Sequence, residues 1–300
     1  MVASPEFYDL VKRMRSRPRP ENQTIDEARM GFIAVGRNFK PDPDASFEAV
    51  DAGGVPAEWV TTKASKSLPV ILFFHGGGYC IGSAQTHRDL VSRLCSASGA
   101  RALSVDYRLA PESPFPAAVD DGVAAYRWLR GQGVPARSIV IAGDSAGGGL
   151  ALATLLALKE VGDELPAGGV CMSPVTDHAK EGESMRTKVD LDPMVHPTSS
   201  TAYSQMYLAG GNPRAPLASP LYADLKGLPP LLILVGTWEV LLDDSKRFAD
   251  KAKAARVPVE LEVWDEMIHI WPYFAAILPE GRQAIERMGA FIKQHAAGAQ

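Results

Sequence analysis

Short apolar runs alternate with longer helical patterns from residue 69 to the C-terminal region. Uninterrupted apolar runs of this length are typical of parallel strands that are covered on both faces. The predicted strands are 69–74, 101–107, 138–144, 168–174, 229–236 and 258–264. The predicted helices between and after them are 87–98, 117–132, 146–161, 243–255 and 280–295. The alternation predicts an α/β fold with a mostly parallel central sheet and helices on both faces.

Two segments depart from this alternation. Residues 1–45 carry apolar side chains at helical spacing and predict two helices ahead of the core: Phe7, Leu10, Val11 and Met14, then Ile25, Ala28, Met30 and Ile33. Residues 178–220, called the insertion, are polar and rich in Pro and Gly. An excursion of that length inside a compact domain is functional or disordered. We interpret residues 1–45 as N-terminal cap helices and the insertion as a helical cap within the main domain, 46–300.

Composition and charge narrow the classes of ligand. The chain has 300 residues, of which 46% are hydrophobic and 22% charged, which is typical of a globular protein. Its 31 Lys and Arg against 35 Asp and Glu give a net charge of −4, so no basic surface is expected for nucleic acid or anionic lipid. The weakly polar stretch 146–158 is shorter than the roughly 18–20 residues that cross a bilayer. We therefore expect a small-molecule ligand and no membrane insertion.

The N-terminal residues and the cysteines bear on compartment and metal content. The first residues lack the apolar core of a signal peptide, which favours the cytoplasm. Cys80, Cys95 and Cys171 are widely spaced and odd in number, with no CxxC pair. This pattern argues against a disulfide framework and against a zinc site. We expect buried thiols, no metal and no other cofactor.

The clearest chemical motif is a G-x-S-x-G sequence at residues 143–147. It follows a predicted strand and opens a predicted helix, which is the setting of a nucleophile elbow. In such an elbow a strained turn raises the serine hydroxyl above the sheet, and the helix N-terminus favours nearby negative charge. Ser145 is therefore the candidate nucleophile.

A second motif, His75 followed by three glycines, comes directly after the first apolar run. Glycines leave backbone N–H groups unshielded, so these N–H groups could stabilise the oxyanion of a tetrahedral intermediate. In this architecture they act together with the N–H of the residue after the nucleophile, which is Ala146. The two motifs together predict acyl-transfer chemistry.

A serine nucleophile needs a histidine and a carboxylate. In this architecture both follow the serine along the chain, the acid first and the histidine after it. His269 is the histidine that comes after a late strand in a loop ahead of the last helix. Glu239 lies in the loop after the strand at 229–236 and is the candidate acid. Asp243 is the alternative, although it and Asp244 are typical of the N-cap and first turn of a helix. Asp192 lies in the insertion, ahead of the expected strand.

The motifs together resemble those of the hormone-sensitive-lipase-like esterases, the bacterial HGGG group or family IV of the α/β-hydrolase superfamily. The resemblance rests on HGGGY, on DYRLAPESPFPAA at 106–118, on GDSAGG and on the region of His269. It implies an α/β-hydrolase catalytic domain over 46–300 with a helical cap. It further implies that Ser145, Glu239 and His269 are catalytic, and that the oxyanion donors are Gly77, Gly78 and Ala146.

The resemblance also implies supporting roles and some departures. Asp106, Arg108 and Glu112 match a motif that buttresses the glycine turn. Glu239 stands where most members have Asp, and its spacing of 30 residues from His269 (269 − 239) fits the family. Trp271 replaces a usual Phe, which suggests a narrower pocket. The family further suggests a homodimer through the last strand.

The sequence thus predicts a serine carboxylesterase that hydrolyses short to medium acyl esters through an acyl-enzyme. Two alternatives stay open. An amide or lactone hydrolase would use the same residues, because the leaving group is not encoded in the triad. A non-catalytic ligand-binding member of the fold is disfavoured, because such members lose the histidine.

Overall fold

An eight-stranded sheet forms the centre of the protein in a computed structural model that describes residues 3–16 and 23–296. The strand order is β1-β2-β4-β3-β5-β6-β7-β8. Its strands are β1 (Ser46–Asp51), β2 (Pro56–Thr61), β3 (Val70–Phe74), β4 (Arg101–Val105), β5 (Ile139–Asp144), β6 (Gly168–Met172), β7 (Leu231–Gly236) and β8 (Val259–Trp264). The six strands β3 to β8 run parallel, whereas β2 pairs antiparallel with both β1 and β4. The predicted mostly parallel α/β sheet is therefore confirmed.

The sequence pattern missed strands β1 and β2. Strand β1 pairs only with β2, at one edge of the sheet, and every residue of it is exposed or half-buried. An edge strand that is open to solvent needs no continuous apolar run. Its sequence SFEAVD therefore lacks the pattern from which the buried parallel strands were predicted.

Nine α-helices lie within the described ranges. They are α1 (Pro5–Arg15), α2 (Ile25–Gly36), α3 (Arg88–Ser98), α4 (Ala117–Gly131), α5 (Ala146–Val161), α6 (Ser184–Thr187), α7 (Pro197–Leu208), α8 (Leu242–Ala254) and α9 (Pro279–His295). The five predicted core helices agree with α3, α4, α5, α8 and α9 to within one residue at each end. None of the helices in the described part of the chain is long and apolar enough to cross a membrane.

Two apolar cores cover the two faces of the sheet. Along β3, Leu72 and Phe74 belong to the core that contains α4, α5 and α8, and Ile71 and Phe73 belong to the core that contains α1, α3 and α9. This alternation is the period of two expected when both faces of a strand are buried. Because β3 to β8 are parallel, their carboxyl ends lie at one edge of the sheet, where the loops that carry the predicted site begin.

The two atypical segments lie next to that edge. Helices α1 and α2 come from residues 1–45, of which residues 1–2 and 17–22 lie outside the described ranges, as do residues 297–300 of the predicted main domain. The insertion contains α6 and α7. Tyr207 of α7 stacks on Tyr79 with ring centroids 3.8 Å apart. The division into cap and catalytic domain stays a prediction.

Helix α5 approaches strand β3 so closely that one of its glycines has no room for a side chain. A Cβ on Gly147 would lie 2.0 Å from the carbonyl oxygen of Phe74. We expect Gly147→Ala to lower the free energy of unfolding by about 1–3 kcal/mol, because the overpacked backbone must shift. A matched control is Gly131→Ala at the end of α4, whose Cβ would meet nothing within 4 Å. Equal urea midpoints for the two variants would contradict the prediction.

Candidate active site

Ser145 occupies the sharp turn between β5 and α5. Its φ of 54° is in the left-handed region, which a residue with a side chain adopts at a cost that the surroundings must offset. Here the Ser145 N–H donates to the carbonyl of Met172 at 2.8 Å, and the Ser145 carbonyl accepts from the N–H groups of Gly149 and Val175, each at 3.0 Å. These bonds to the ends of neighbouring segments hold the turn. The serine side chain is thereby fixed at the carboxyl edge of the sheet.

Three side chains form an unbroken hydrogen-bonded chain at this edge. The Nε2 of His269 lies 2.9 Å from the Oγ of Ser145. The Nδ1 of the same ring lies 2.9 Å from Oε2 of Glu239. The carboxylate of Glu239 is fully buried and His269 is 3% exposed, whereas Ser145 is 9% exposed. The structure thus brings together the three residues predicted as catalytic.

The second oxygen of Glu239 is held by groups from two neighbouring strand ends. Its Oε1 accepts from the Oγ of Ser173 at 2.9 Å and from the N–H of Gly236 at 2.5 Å. The Oγ of Ser173 also accepts from the N–H of Ile270 at 3.2 Å. Ser173 therefore links the carboxylate to the residue that follows His269. This fixes the plane of the carboxylate relative to the imidazole.

The buried pair shifts the pKa of both members. Burial raises the pKa of Glu239 above its usual value, although the hydrogen bond with His269 opposes the change. Burial by itself would lower the pKa of His269, but the hydrogen bond and charge of Glu239, with Asp192 and Asp144, raise it above the usual value. A raised imidazole pKa makes His269 a better proton acceptor for the Ser145 hydroxyl.

The glycine loop, residues 75–79, lies beside the serine. Gly77 has a φ of 124° and Gly78 a φ of 61°, and a Cβ on Gly77 would lie 2.1 Å from the carbonyl oxygen of Ile81. Among the described residues, the N–H groups of Gly77, Gly78 and Ala146 donate to no protein group. These three amides are therefore free to donate to a ligand, as the sequence predicts for oxyanion donors.

The base of the glycine loop is tied to the turn that carries the serine. The N–H of Gly76 donates to Oδ1 of Asp144 at 3.0 Å, and the same carboxylate lies 3.3 Å from Nε2 of His87. His75 stacks on Tyr107 with ring centroids 4.3 Å apart. Its burial lowers the pKa of its imidazole to about 3, so the ring is neutral. His75 is thus a neutral ring packed against Tyr107.

The residues predicted to buttress the glycine loop bond to groups outside residues 75–79. Asp106 accepts from the N–H of Ala84 at 2.6 Å. Arg108 pairs instead with Asp121 of α4. Glu112 pairs with Arg29 of α2, whose Nε donates to the carbonyl of Cys80 at 2.9 Å, directly after the loop. The support from Glu112 is therefore indirect and passes through α2.

The alternative acid, Asp243, lies outside the hydrogen-bonded chain. Helix α8 begins at Leu242 with Leu241 as its N-cap, so the expected N-cap role of Asp243 is wrong and both Asp243 and Asp244 lie in the first turn. The Oδ2 of Asp243 accepts from the N–H of Ser184 in the insertion at 2.8 Å. This leaves Glu239 as the carboxylate in contact with His269.

Other residues singled out by the sequence are accounted for by packing. Trp271 is fully buried, and its ring centroid lies 5.4 Å from that of Trp264. The narrower pocket stays a prediction. The three cysteines are buried and unpaired. Across residues 3–16 and 23–296, no cluster of three or more His, Cys, Asp or Glu side chains is arranged to hold a metal.

Sequence reasoning missed Ser173, Asp144 and His87 as supporting residues of the site. Ser173 comes directly after the apolar run GGVCM, at the carboxyl end of the strand next to β5. That position was the available signal, because parallel strands end at the same edge. Asp144 precedes the serine in the motif, but nothing in the sequence indicates that its carboxylate would turn back to the glycine loop.

A buried carboxylate, a histidine and a serine on a strand-to-helix turn of a parallel sheet define a serine hydrolase with the α/β-hydrolase architecture. A family model described as the α/β-hydrolase fold matches residues 71–273. An acetyl-hydrolase of Streptomyces hygroscopicus is 44% identical over 292 residues, which cover 97% of each chain.

Solved structures agree with this class. An esterase from the bacterial hormone-sensitive lipase family is 48% identical, with a TM-score of 0.96, and 99% of this chain and 100% of that chain are covered. The structure of EstE5 soaked with p-nitrophenyl butyrate is 46% identical, with a TM-score of 0.95 and the same coverage. The chain belongs to the α/β-hydrolase family, and within it to the hormone-sensitive-lipase-like esterases of bacteria. It is a carboxylesterase.

Proposed function

We propose that the protein hydrolyses carboxylic esters of short to medium acyl chain through an acyl-enzyme, with Ser145 as nucleophile, His269 as general base and Glu239 as the orienting acid. The observation that carries the proposal is the chain of two 2.9 Å contacts from Ser145 through His269 to Glu239. Such a chain lets one imidazole accept a proton at Nε2 while its Nδ1–H donates to a carboxylate.

In the acylation step, the Oγ of Ser145 forms a bond to the acyl carbon while its proton passes to Nε2 of His269. The carbonyl oxygen of the ester becomes an oxyanion, which accepts from the N–H groups of Gly77, Gly78 and Ala146. Collapse of the intermediate breaks the bond to the alkoxy oxygen, which takes the proton from His269. The products are the free alcohol and the acylated Ser145.

In the deacylation step, a water molecule replaces the alcohol and gives a proton to Nε2 of His269. The water oxygen bonds to the acyl carbon, and the second tetrahedral intermediate uses the same three amides. The bond to Oγ then breaks and Ser145 regains its proton from His269. The carboxylic acid leaves, so the overall reaction consumes one ester and one water.

Two observations favour short to medium acyl chains. The Streptomyces hygroscopicus relative is named for acetyl groups, and the solved EstE5 was soaked with a butyryl ester. An amide or lactone hydrolase is the second candidate, since it would use the same atoms. The cytoplasmic location, the cap and the homodimer stay predictions.

The test is turnover of p-nitrophenyl esters with acyl chains of two to sixteen carbons, combined with labelling by an alkyl phosphonate. We expect the highest kcat/KM at the shorter chains, and a phosphonate adduct found by mass spectrometry on Ser145. An optimum at sixteen carbons would refute the proposed substrate class. Absence of turnover for every ester, with turnover of an anilide or a lactone, would favour the second candidate.

A further inference from the structure

The loop that carries Glu239, residues 237–241, is held from outside by the insertion. We call it the acid loop. Val240 and Leu241 are buried in a small apolar cluster with Met185, Val189 and Val195 of the insertion. Val240, the residue after Glu239, is thereby packed against a segment about 50 positions earlier in the sequence. The position of the acid therefore depends on contacts beyond its own strand.

Both backbone polar groups of Val240 bind side chains from the insertion. The Val240 N–H donates to Oδ2 of Asp192 at 3.0 Å. The Val240 carbonyl accepts from the Oγ of Ser184 at 2.6 Å. Ser184 also accepts from the N–H of Asp243 at 3.0 Å, where α8 begins. Two side chains of the insertion thus fix the peptide groups on the C-terminal side of Glu239.

Asp192 is itself held rigidly. It is 1% exposed, and its Oδ1 accepts from the N–H groups of Met194 at 2.8 Å and Val195 at 2.9 Å. These bonds form a local turn in the insertion that aims Oδ2 at the acid loop. Burial raises the pKa of Asp192 above its usual value, although His269 and the three backbone N–H groups, which favour the charged form, act in the opposite direction.

The charge of Asp192 lies close enough to the triad to act on it. It contributes to raising the pKa of His269. The charged groups that face His269 are Glu239 from the acid loop, Asp192 from the insertion and Asp144 from β5. The guanidinium of Arg15 on α1 approaches the same segment of the insertion, where it donates to the carbonyls of residues 190 and 191 at 3.3 and 3.1 Å.

We propose that Asp192 is a positioning residue of the active site: together with Ser184 it holds the acid loop where Glu239 orients His269, and its charge stabilises the imidazolium of the transition state. This inference rests on the proposed function. It gives the insertion a role in the electrostatics of the triad, in addition to any role in covering the substrate.

The test compares Asp192→Asn with Asp190→Asn, a control with the same loss of charge at an exposed residue two positions away. The asparagine at 192 can keep the local turn through its carbonyl, but then presents an NH₂ group to the N–H of Val240. We expect kcat for p-nitrophenyl butyrate to fall roughly 10- to 100-fold, as small misplacements of catalytic groups do, with KM close to that of the wild type. Asp190→Asn should match the wild type.

The pH profile separates this role from a merely structural one. Activity requires neutral imidazole, so the acidic limb of kcat/KM follows the pKa of His269. Asp192→Asn removes a negative charge that raises this pKa, so the limb should move to lower pH. Ser184→Ala removes a bond to the acid loop without changing charge, so it should lower kcat and leave the limb in place.

Several outcomes would overturn the proposal. One is a kcat for Asp192→Asn equal to that of Asp190→Asn. Another is a loss of kcat in Asp192→Asn while the acidic limb of its kcat/KM profile stays at the wild-type pH. If circular dichroism finds Asp192→Asn unfolded, Ser184→Ala decides, since an unchanged kcat in that folded variant would also refute the role of the insertion. Failure of the proposed function is a different result: the wild type itself would not turn over the ester, or Ser145→Ala would.

Discussion

Replacing Ser145 by alanine is expected to lower kcat for p-nitrophenyl butyrate by roughly 10⁵- to 10⁶-fold, the size of effect seen when the nucleophile of a serine triad is removed. The physical reason is that the Nε2 of His269 contacts the Oγ of Ser145 at 2.9 Å, so the substitution removes the hydroxyl that this imidazole activates. The measurement is steady-state turnover with protein purified free of host esterases.

The matched control for this prediction is the double variant Ser145→Ala with His269→Ala. Residues that act as a unit are strongly non-additive, so the second substitution should cause little further loss. The remaining turnover then reports the amides of Gly77, Gly78 and Ala146 acting on bound substrate. Substantial activity in Ser145→Ala, or a further loss of several orders of magnitude in the double variant, would refute the assigned nucleophile and base.

Replacing Glu239 by glutamine is expected to lower kcat by roughly 10⁴-fold, as does loss of the acid in a serine triad. The glutamine has the size of the glutamate but carries an NH₂ group. If the glutamine carbonyl faces His269, its NH₂ group faces the N–H of Gly236. In the wild type this N–H donates to Oε1 of Glu239 at 2.5 Å. If the amide is reversed, it favours the wrong tautomer of the imidazole. Either arrangement removes the charge that stabilises the imidazolium.

The control for the acid is Asp243→Asn. Asp243 lies in the first turn of α8 and contacts the insertion, so its variant should keep most of the wild-type activity. Parallel measurements of kcat and of the thermal midpoint distinguish catalysis from folding. An active Glu239→Gln with an inactive Asp243→Asn would transfer the role of acid to Asp243.

The central strands and helices could be predicted because they are encoded locally. Strand β5 is buried throughout and helix α5 is buried from Ala146 to Leu156, so apolar residues alone mark both segments. Strand β1 escaped because an exposed edge strand has no such run, and β2 escaped because polar residues interrupt its sequence PAEWVT. The N-cap of α8 was placed on the wrong residue because the helix begins at Leu242 without a side-chain cap.

The candidate site divides in the same way. The turn at Ser145 and the glycine loop are each contained in five residues, so motif and conformation coincide. The residues that support Glu239 are distant in the sequence. Ser173 lies 66 positions before Glu239, and Asp192 lies 48 positions before Val240, to which it bonds. The sequence places Asp192 in the insertion, but it does not indicate that Asp192 contacts the acid loop.

By itself, the sequence determined the α/β fold, the strand-turn-helix at Ser145 and the glycine loop, because these depend on burial patterns and on backbone freedom within a few residues. Only the tertiary structure decided which carboxylate faces His269, how its second oxygen is held and what fixes the acid loop. The physical reason is distance along the chain. Ser145 and His269 are 124 residues apart, and their contact exists only because parallel strands end at one edge of the sheet.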